Sequence, residues 1–486
     1  MSSVRTAWFS PLPPVRTGVS AVSADAVAAL AARGHLVDTY QERNAHDFPW
    51  IHRQRPYDQI VYQFGNSSHH DYEWPYALRY PGLVVLHDTR LHHARAALLL
   101  REKRRDDYRH ELAWSEPAVS PDAAELAVAG FDSRLYYEWP MVRALVDRSL
   151  RVAVHGEATR RELIARLLDD GVPGTDDRCD PAERIVSIRL GHGALVNAEQ
   201  ETAARDRLRR RYGISPHAIV FGVFGGLTPE KRLPQIVEAF RSVVPYAPDA
   251  RLLLGGAPAA HFPLDAFAAD PRIAIAGYID EAELTDHIAM VDVSLNLRWP
   301  TARETSGPWL RALAAGRATI VTDLLHLSGV ASLDPRTWTL ATADDRSPDR
   351  ISDIGRSEAI TVAIDIVDED HSLRLAMRRL ATDPALRERL GRAAREYWQR
   401  EHTIAAMTDD YERILHVMLG LRGVHGEHGV QETLPAHLRP DGDEQLRDLL
   451  EPFGVDTALR ASIASEPRKR SARAGESEGR SPSDQG

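Results

Sequence analysis

The sequence predicts an α/β protein made of two doubly wound, Rossmann-like parallel-sheet domains. Three observations lead there. Short apolar runs alternate with helical patterns through the first half, the signature of βαβ units. The same alternation starts afresh near residue 215. Several of the runs are apolar at successive positions, as strands covered by helices on both faces are. A length of 486 residues suits two or three domains, at roughly 100–200 residues for each.

In the first half the strand candidates are "RTAWFS", "LVDTY", "QIVYQFG", "GLVVLHD", "RVAVHG" and "RIVSIRLG". The helix in "SAVSADAVAALAARGH" ends at Gly34, which suits the left-handed C′ position. At about 95–150, helical periodicity and the aromatics of "DSRLYYEWPMVRALVDRS" mark an inserted helical section. The polar, charged "NAEQETAARDRLRRRYGIS" reads as the connector between the halves. Beyond it come the strands "AIVFGVFG", "ARLLLGG", "RIAIAGYI", "VSLNLRW" and "ATIVTDL", with helices in "LPQIVEAFRSVV", "EAELTDHIAMV" and "GPWLRALAAG". These patterns give domains at 1–200 and 215–395 and a further helix at 396–420. The end, 465–486, is rich in Ser, Gly, Glu, Arg and Pro and is expected to be disordered, because it has almost nothing to bury.

Composition narrows the function. Apolar residues make up 43% and charged residues 27%, the balance of a globular protein. A net charge of −10 argues against nucleic acid as a partner, since that binding neutralises many phosphates. The basic runs "REKRRDDYRH" and "RDRLRRRYG" read as solvated helix faces. The single cysteine, Cys179, permits no intrachain disulfide, and the 21 histidines show no zinc-binding spacing. No metal and no cofactor are expected. With no run of about 18 apolar residues and no secretory signal pattern at the N-terminus, a cytoplasmic location is expected.

Ligands of open α/β sheets bind outside the carboxyl ends of strands, and four loops there carry unusual residues. "SPLPPVRTGVSAVS" follows the first strand, and Gly18 in it permits a close backbone approach. "VVLHDTRLHH" ends a strand on His87 and Asp88; His87 either faces the crevice or satisfies a neighbouring backbone group. Upstream, "YQFGNSSHHDYEWPY" adds Asn66, His69 and His70 to the same edge. "FGVFGGLTPEKRLPQIVEAF" places Gly225 and Gly226 after a strand and Lys231 and Arg232 before a helix, where a cation opposes the dipole unless an anion lies between them. Finally, "NLRWPTARETSGPWLRALAAG" sets Glu304 before Ser306 and Gly307 at a helix start. Alone, that stretch is an ordinary acidic helix start, with Arg303 as the basic residue beside the glutamate.

Together these four loops resemble the retaining, sugar-nucleotide-dependent glycosyltransferases of family four, over residues 4–420. "RTGVSAVSADAVAALAARGH" is similar to the family's glycine loop and first helix, and "YQFGNSSHHDY" and "PGLVVLHD" to segments of its bacterial members. "FGGLTPEKRLPQIVEAF" resembles the Gly-x-Leu-x-x-x-Lys segment, and "RETSGPWLRALAAGRATIVTD" the donor-site glutamate loop. The resemblance implies a GT-B fold, in which two Rossmann-like domains face an interdomain cleft and the helix at 396–420 returns to the first domain. It implies that Glu304 faces the donor sugar, Lys231 balances the pyrophosphate, and His87 contacts the transferred sugar. Gly18, Gly225, Gly226, Arg232, Ser306 and Gly307 would complete the donor site, with the base near Gly277 and Tyr278. Asn66, His69 and Asp88 would lie on the acceptor side.

Two departures stand out. The family's second glutamate, eight positions after the first, corresponds by direct counting to Ala312, or to Arg311 with a one-residue gap. The arginine that precedes the leucine of the Gly-x-Leu segment is here Gly226, and Arg232 is the candidate to replace its charge. The implied function is transfer of a sugar from a nucleoside diphosphate to a polysaccharide, lipid-linked or small-molecule hydroxyl, with retention, compatible with peripheral membrane association. The alternatives are a catalytically inactive nucleotide-binding scaffold, or a sugar-nucleotide epimerase or hydrolase that acts without an acceptor.

Overall fold

β-Branched and aromatic residues favour extended backbone, and the apolar runs of the first half pair as one parallel sheet. The computed structural model of the chain describes residues 3–131, 134–169, 181–195, 197–259, 262–324, 327, 329–341, 358–421 and 434–439. Cys179 and the tail at 465–486 lie outside them. The first sheet contains β1 (Arg5–Phe9), β2 (Leu36–Tyr40), β3 (Gln59–Phe64), β4 (Leu83–Leu86), β5 (Arg151–Val154) and β6 (Ile185–Ser187), in the spatial order β2-β1-β3-β4-β5-β6. The chain thus winds outward from β1 to β2, then reverses to β3. The helix Gly18–Ala32 is capped by the Thr17 side chain, and Gly34 follows it at φ +90°.

The second sheet contains β7 (Val220–Phe224), β8 (Arg251–Gly255), β9 (Ile273–Gly277), β10 (Val293–Asn296), β11 (Ala318–Thr322), β12 (Ser332–Leu333), β13 (Leu340–Ala341) and β14 (Thr361–Ile364). Their order is β13-β12-β14-β11-β10-β7-β8-β9, parallel throughout except for the β12–β13 pair. Strands β12 and β13 have two residues each, too short for any period to show in the sequence, and β14 was not singled out there. The expected connector is instead a helix, Ala198–Arg211, packed along Glu281–Met290. Its basic run is only partly a solvated face: Arg209 is buried, donating to the carbonyls of Met290, Pro216 and Ala218 and pairing with Asp292.

Both sheets belong to one compact unit, Met1–Arg439, and one apolar cluster runs through both halves. It joins Trp8, Val61 and Val85 of the first sheet to Val321 and Ala363 of the second, to Trp309 and Leu313 of the helix Gly307–Ala314, and to Trp398 and Tyr411. The single helix expected at 396–420 is two. Pro384–Glu401 packs on the helix Gly307–Ala314 and on β11. After a break at His402 and Thr403, Ile404–Leu419 covers β3 and the helix Gly18–Ala32. Tyr411 lies there with its ring 5.2 Å from Trp8 and accepts a hydrogen bond from the Gln63 amide at 3.1 Å.

The helical insertion begins at His92 and has its own small core of Leu99, Tyr108, Leu112, Ala127, Tyr136 and Met141. A buried, two-pronged Arg95–Glu111 pair (2.7 and 2.6 Å) ties its first two helices together. Because Tyr411 is 1% exposed, Tyr411→Ala is expected to cost about 3–5 kcal/mol. Tyr411→Phe, which removes only the hydroxyl, should cost about 1 kcal/mol. Urea unfolding of the two variants measures the difference.

Candidate active-site cleft

In a doubly wound sheet the crevice opens at the carboxyl ends of the strands where the order reverses. That point lies between β1 and β3 in the first sheet and between β7 and β10 in the second. The loops singled out in the sequence leave from these ends or from the neighbouring β4.

After β7 the chain turns at Gly225, φ +89°, where an added Cβ would lie 3.1 Å from Pro308 Cγ and 3.4 Å from Lys231 Nζ. Lys231 is buried, 7% exposed, and donates to the Phe224 carbonyl at 2.6 Å. At Gly226 a Cβ would meet nothing within 4 Å. Arg232 binds both oxygens of Glu369 (its Nε is 2.9 Å from Oε1), so its charge is already balanced by that carboxylate. Ser306 caps the helix Gly307–Ala314 by accepting from Trp309 N, and Gly307 packs against His192.

Glu304 does not pair with its neighbour Arg303. Its partner is Arg298, at the end of β10: Arg298 Nε is 2.6 Å from Glu304 Oε1, and Thr301 Oγ1 donates to Oε2 at 2.9 Å. Thr301 Oγ1 also accepts from Arg303 N at 3.0 Å, closing a tight turn in which Arg303 takes φ +66°. That conformation sends the Arg303 guanidinium to Glu162 of the first domain, 3.3 Å away. Sequence reasoning missed Arg298, although the rule that singled out His87, a polar residue at the carboxyl end of a strand, applies to it equally.

On the facing wall Asp88 accepts from Asn66 N at 2.7 Å, and the Asn66 side chain accepts from Ala94 N at 2.9 Å, which fixes the start of the insertion. His69 is exposed. Its neighbour His70 is buried, paired with the buried Glu73 at 3.0 Å, and its Nε2 lies near Gly65 beside Asp88 Oδ2. His87 is 8% exposed and both its ring nitrogens have protein partners: Gln63 Oε1 at 2.7 Å and His155 Nε2 at 3.1 Å. Gly18 opens its helix with free space above it. Tyr278, half exposed on the second domain, has the guanidinium of Arg16 4.2 Å above its ring. The walls also touch through Thr89 N to Ala302 O (3.1 Å) and Tyr137 OH to Glu230 (3.1 Å).

The buried charges are strongly shifted. Lys231 falls to about 7, first through burial and then through the nearby Arg298 cation. Asp88 rises to about 7, through burial and then through the Glu304 carboxylate. Burial likewise drives the His87 imidazole well below its usual range, toward the neutral form. Lys231, Arg298, Glu304 and Asp88 therefore share one electrostatic environment, drawn from both domains.

At the site of the expected second glutamate, Ala312 is fully buried in the apolar core, whereas Arg311 reaches His192 at 2.9 Å and pairs with Glu281. Among the described residues no group of three His, Cys, Asp or Glu side chains is placed to hold a metal, and no helix is long and apolar enough to cross a membrane. A cavity of ≈ 630 Å³ lies elsewhere, among Arg317, Arg387, Arg395, Glu201 and Asp292.

No protein-family model and no curated protein matches the sequence. Solved structures do match in fold. Anabaena Alr3699/HepE in complex with UDP-glucose is 12% identical, with a TM-score of 0.52 over 85% of this chain and 100% of that one. WaaG, a glycosyltransferase involved in lipopolysaccharide biosynthesis, is 15% identical, with a TM-score of 0.50 over 85% and 100%. A glycosyltransferase from Rickettsia africae is 12% identical, with a TM-score of 0.52 over 87% and 100%. Two parallel sheets flanked by helices, with these neighbours, define a two-domain α/β protein of the GT-B fold.

The two adjacent glycines should respond differently to alanine. Gly225→Ala forces a left-handed Cβ against Pro308 and is expected to cost about 1–3 kcal/mol, while Gly226→Ala should change stability by no more than about 0.5 kcal/mol. Thermal unfolding of the pair checks this.

Proposed function

We propose that this chain is a glycosyltransferase that moves a sugar from a nucleoside diphosphate to a hydroxyl acceptor with retention of configuration. One observation carries the proposal: in a GT-B fold, Glu304 and Lys231 stand at the reversal point of the second sheet, with Glu304 within electrostatic reach of both Lys231 and Asp88 on the first. The resemblance of the four loops to family-four enzymes supports it, as do structural neighbours of which one holds UDP-glucose.

In the proposed reaction the bond from the anomeric carbon to the diphosphate oxygen breaks, and its electron pair leaves with the diphosphate. The acceptor oxygen bonds to the same face of that carbon, and its proton passes to the departing diphosphate. Lys231 meets the charge that develops on the leaving group. Glu304, oriented by Arg298 and Thr301, retains lone pairs for the sugar hydroxyls and supports positive charge near the anomeric carbon. Asp88 and Asn66 line the acceptor side, and His87, held by Gln63 and His155, buttresses that wall from below. Apposition of the domains excludes water from the reacting centre.

Glu304→Gln keeps the size and removes the charge, so transfer is expected to fall on the order of 10²-fold or more while folding survives. Wild-type turnover by this variant at saturating donor and acceptor would refute the assignment and favour an inactive scaffold. Turnover of donor with no acceptor present would favour an epimerase or hydrolase. Lys231→Ala should weaken nucleoside diphosphate binding by about ten-fold to over a hundred-fold and leave nucleoside binding nearly unchanged, as read by calorimetry.

The pH dependence follows from Lys231. With its pKa at about 7, the unliganded ammonium is mostly neutral at pH 8, and a bound anion raises that pKa. Diphosphate binding at pH 8 should therefore take up protons, and affinity should rise as pH falls toward 7. Titrations in buffers of different ionisation enthalpy measure the uptake, which should be smaller in Lys231→Ala.

A further inference from the structure

Arg298 occupies a position that the Glu304 ion pair alone does not explain. It leaves β10 at the sheet's reversal point, its backbone N–H fixed on Thr322 Oγ1 at 3.1 Å, and its side chain remains 29% exposed to the cleft. The next residue, Trp299, donates its N–H to the Glu230 carbonyl at 2.8 Å, which sets this loop beside Lys231, a second cation that the fold has buried although its only hydrogen-bond partner among the described residues is the Phe224 carbonyl. Two like charges held close in a low-dielectric site repel; Glu304 neutralises Arg298, and Lys231 is left to lose its proton near neutrality unless a further anion joins it. Such a pair is stable when an anion of more than one charge lies between its members. Arg232, the other candidate cation of this region, is committed to Glu369. No side chain at Gly226 supplies a charge, and the space above it is open.

We infer that Arg298 is the second cation of the diphosphate site, held by Glu304 while the site is empty and shared with the diphosphate once it binds. The inference deepens the proposed glycosyltransferase function and rests on it. Glu304 then has two duties: it supports the donor sugar, and it keeps the guanidinium oriented and neutralised before the donor arrives. A guanidinium suits this exchange because its planar fork binds carboxylate and phosphate with the same geometry.

The test is calorimetric titration of the full-length chain with UDP, GDP, ADP, CDP and dTDP, with the matching nucleosides as controls. Arg298→Ala is expected to weaken the preferred diphosphate by about ten-fold or more and to change nucleoside binding by less than two-fold. Glu304→Gln should tighten the sugar-free diphosphate, because it frees Arg298 and removes a repelling charge. If Arg298 served only to position Glu304, the gain from losing the repelling carboxylate would persist in Arg298→Ala/Glu304→Gln, whereas most of it should vanish there. In the double variant Arg298→Ala/Gly226→Arg, an arginine placed in the open space above Gly226 should recover part of the lost affinity.

Should Arg298→Ala leave Glu304 unpaired and unfold the protein, Arg298→Met/Glu304→Gln removes both charges together and should still show the loss. Unchanged diphosphate affinity in the folded Arg298 variants, or no tightening in Glu304→Gln, overturns the inference while leaving the proposed function intact. A wild-type protein that binds none of the diphosphates overturns both.

Discussion

Parallel strands cannot be joined by tight turns, so each crossover must travel over a face of the sheet, usually as a helix. A chain that winds outward on one side and then returns to wind on the other must leave a gap at its starting strand, where two neighbouring loops part in opposite directions. Here that happens twice, beside β1 in the first sheet and beside β7 in the second. The apolar cluster shared by Trp8, Trp309, Trp398 and Tyr411 binds the halves into one unit, and contacts such as Thr89 to Ala302 join the loops of the two walls. The position of every residue in the cleft depends on this arrangement.

The same winding sorts charge between the two ends of the second sheet. Its helices begin at the carboxyl ends of strands and finish at the opposite edge, where unpaired carbonyls concentrate negative potential. Arginines collect at that far edge. Arg395 donates to Ala314 O and Ala315 O, Arg317 to Ala315 O, and Arg387 to Leu380 O. The large cavity among these residues is thus lined by guanidiniums already engaged in capping helix ends. Glu201 bridges Arg317 and Arg395 and offsets part of their charge.

In the cleft the physics is different, because under the proposed function charge there responds to a ligand. An isolated buried ion is costly, and this site avoids one by two means. Arg298 and Glu304 neutralise each other. Lys231 and Asp88 are shifted from opposite directions to about 7, so that neither is firmly charged near neutrality. The cleft therefore carries little net charge of its own, and under the proposed function Arg298 and Lys231 are the two basic groups that would meet a diphosphate. His87 belongs to the supporting structure, a chain of buried polar groups from Tyr411 through Gln63 to His155 and the Ile188 carbonyl. That chain ties β3, β4 and β5 to the returning C-terminal helix.

Local chemistry determined much of this protein. Strands β1 to β11 were legible as apolar runs between helical patterns, most of them covered on both faces although the edge strand β2 leaves Leu36 exposed, and Gly34 marked a helix end because few other residues take its conformation. Lys231 and Glu304 were visible because they follow strands, where parallel sheets expose their loops. Pairing was not legible. The sequence puts Arg303 beside Glu304, but a left-handed turn sends it to Glu162 and leaves the glutamate to Arg298, six residues earlier. Likewise His70 rather than His69 is buried against the cleft wall, Arg209 is buried within a run that reads as a solvated face, and Ala312 points into the core. Only the tertiary structure decided these, because which side chains share a crevice depends on the order of strands in each sheet and on the rotation of each helix against its neighbours. Both are fixed by packing between segments distant in sequence, and neither leaves a periodic trace in the chain itself.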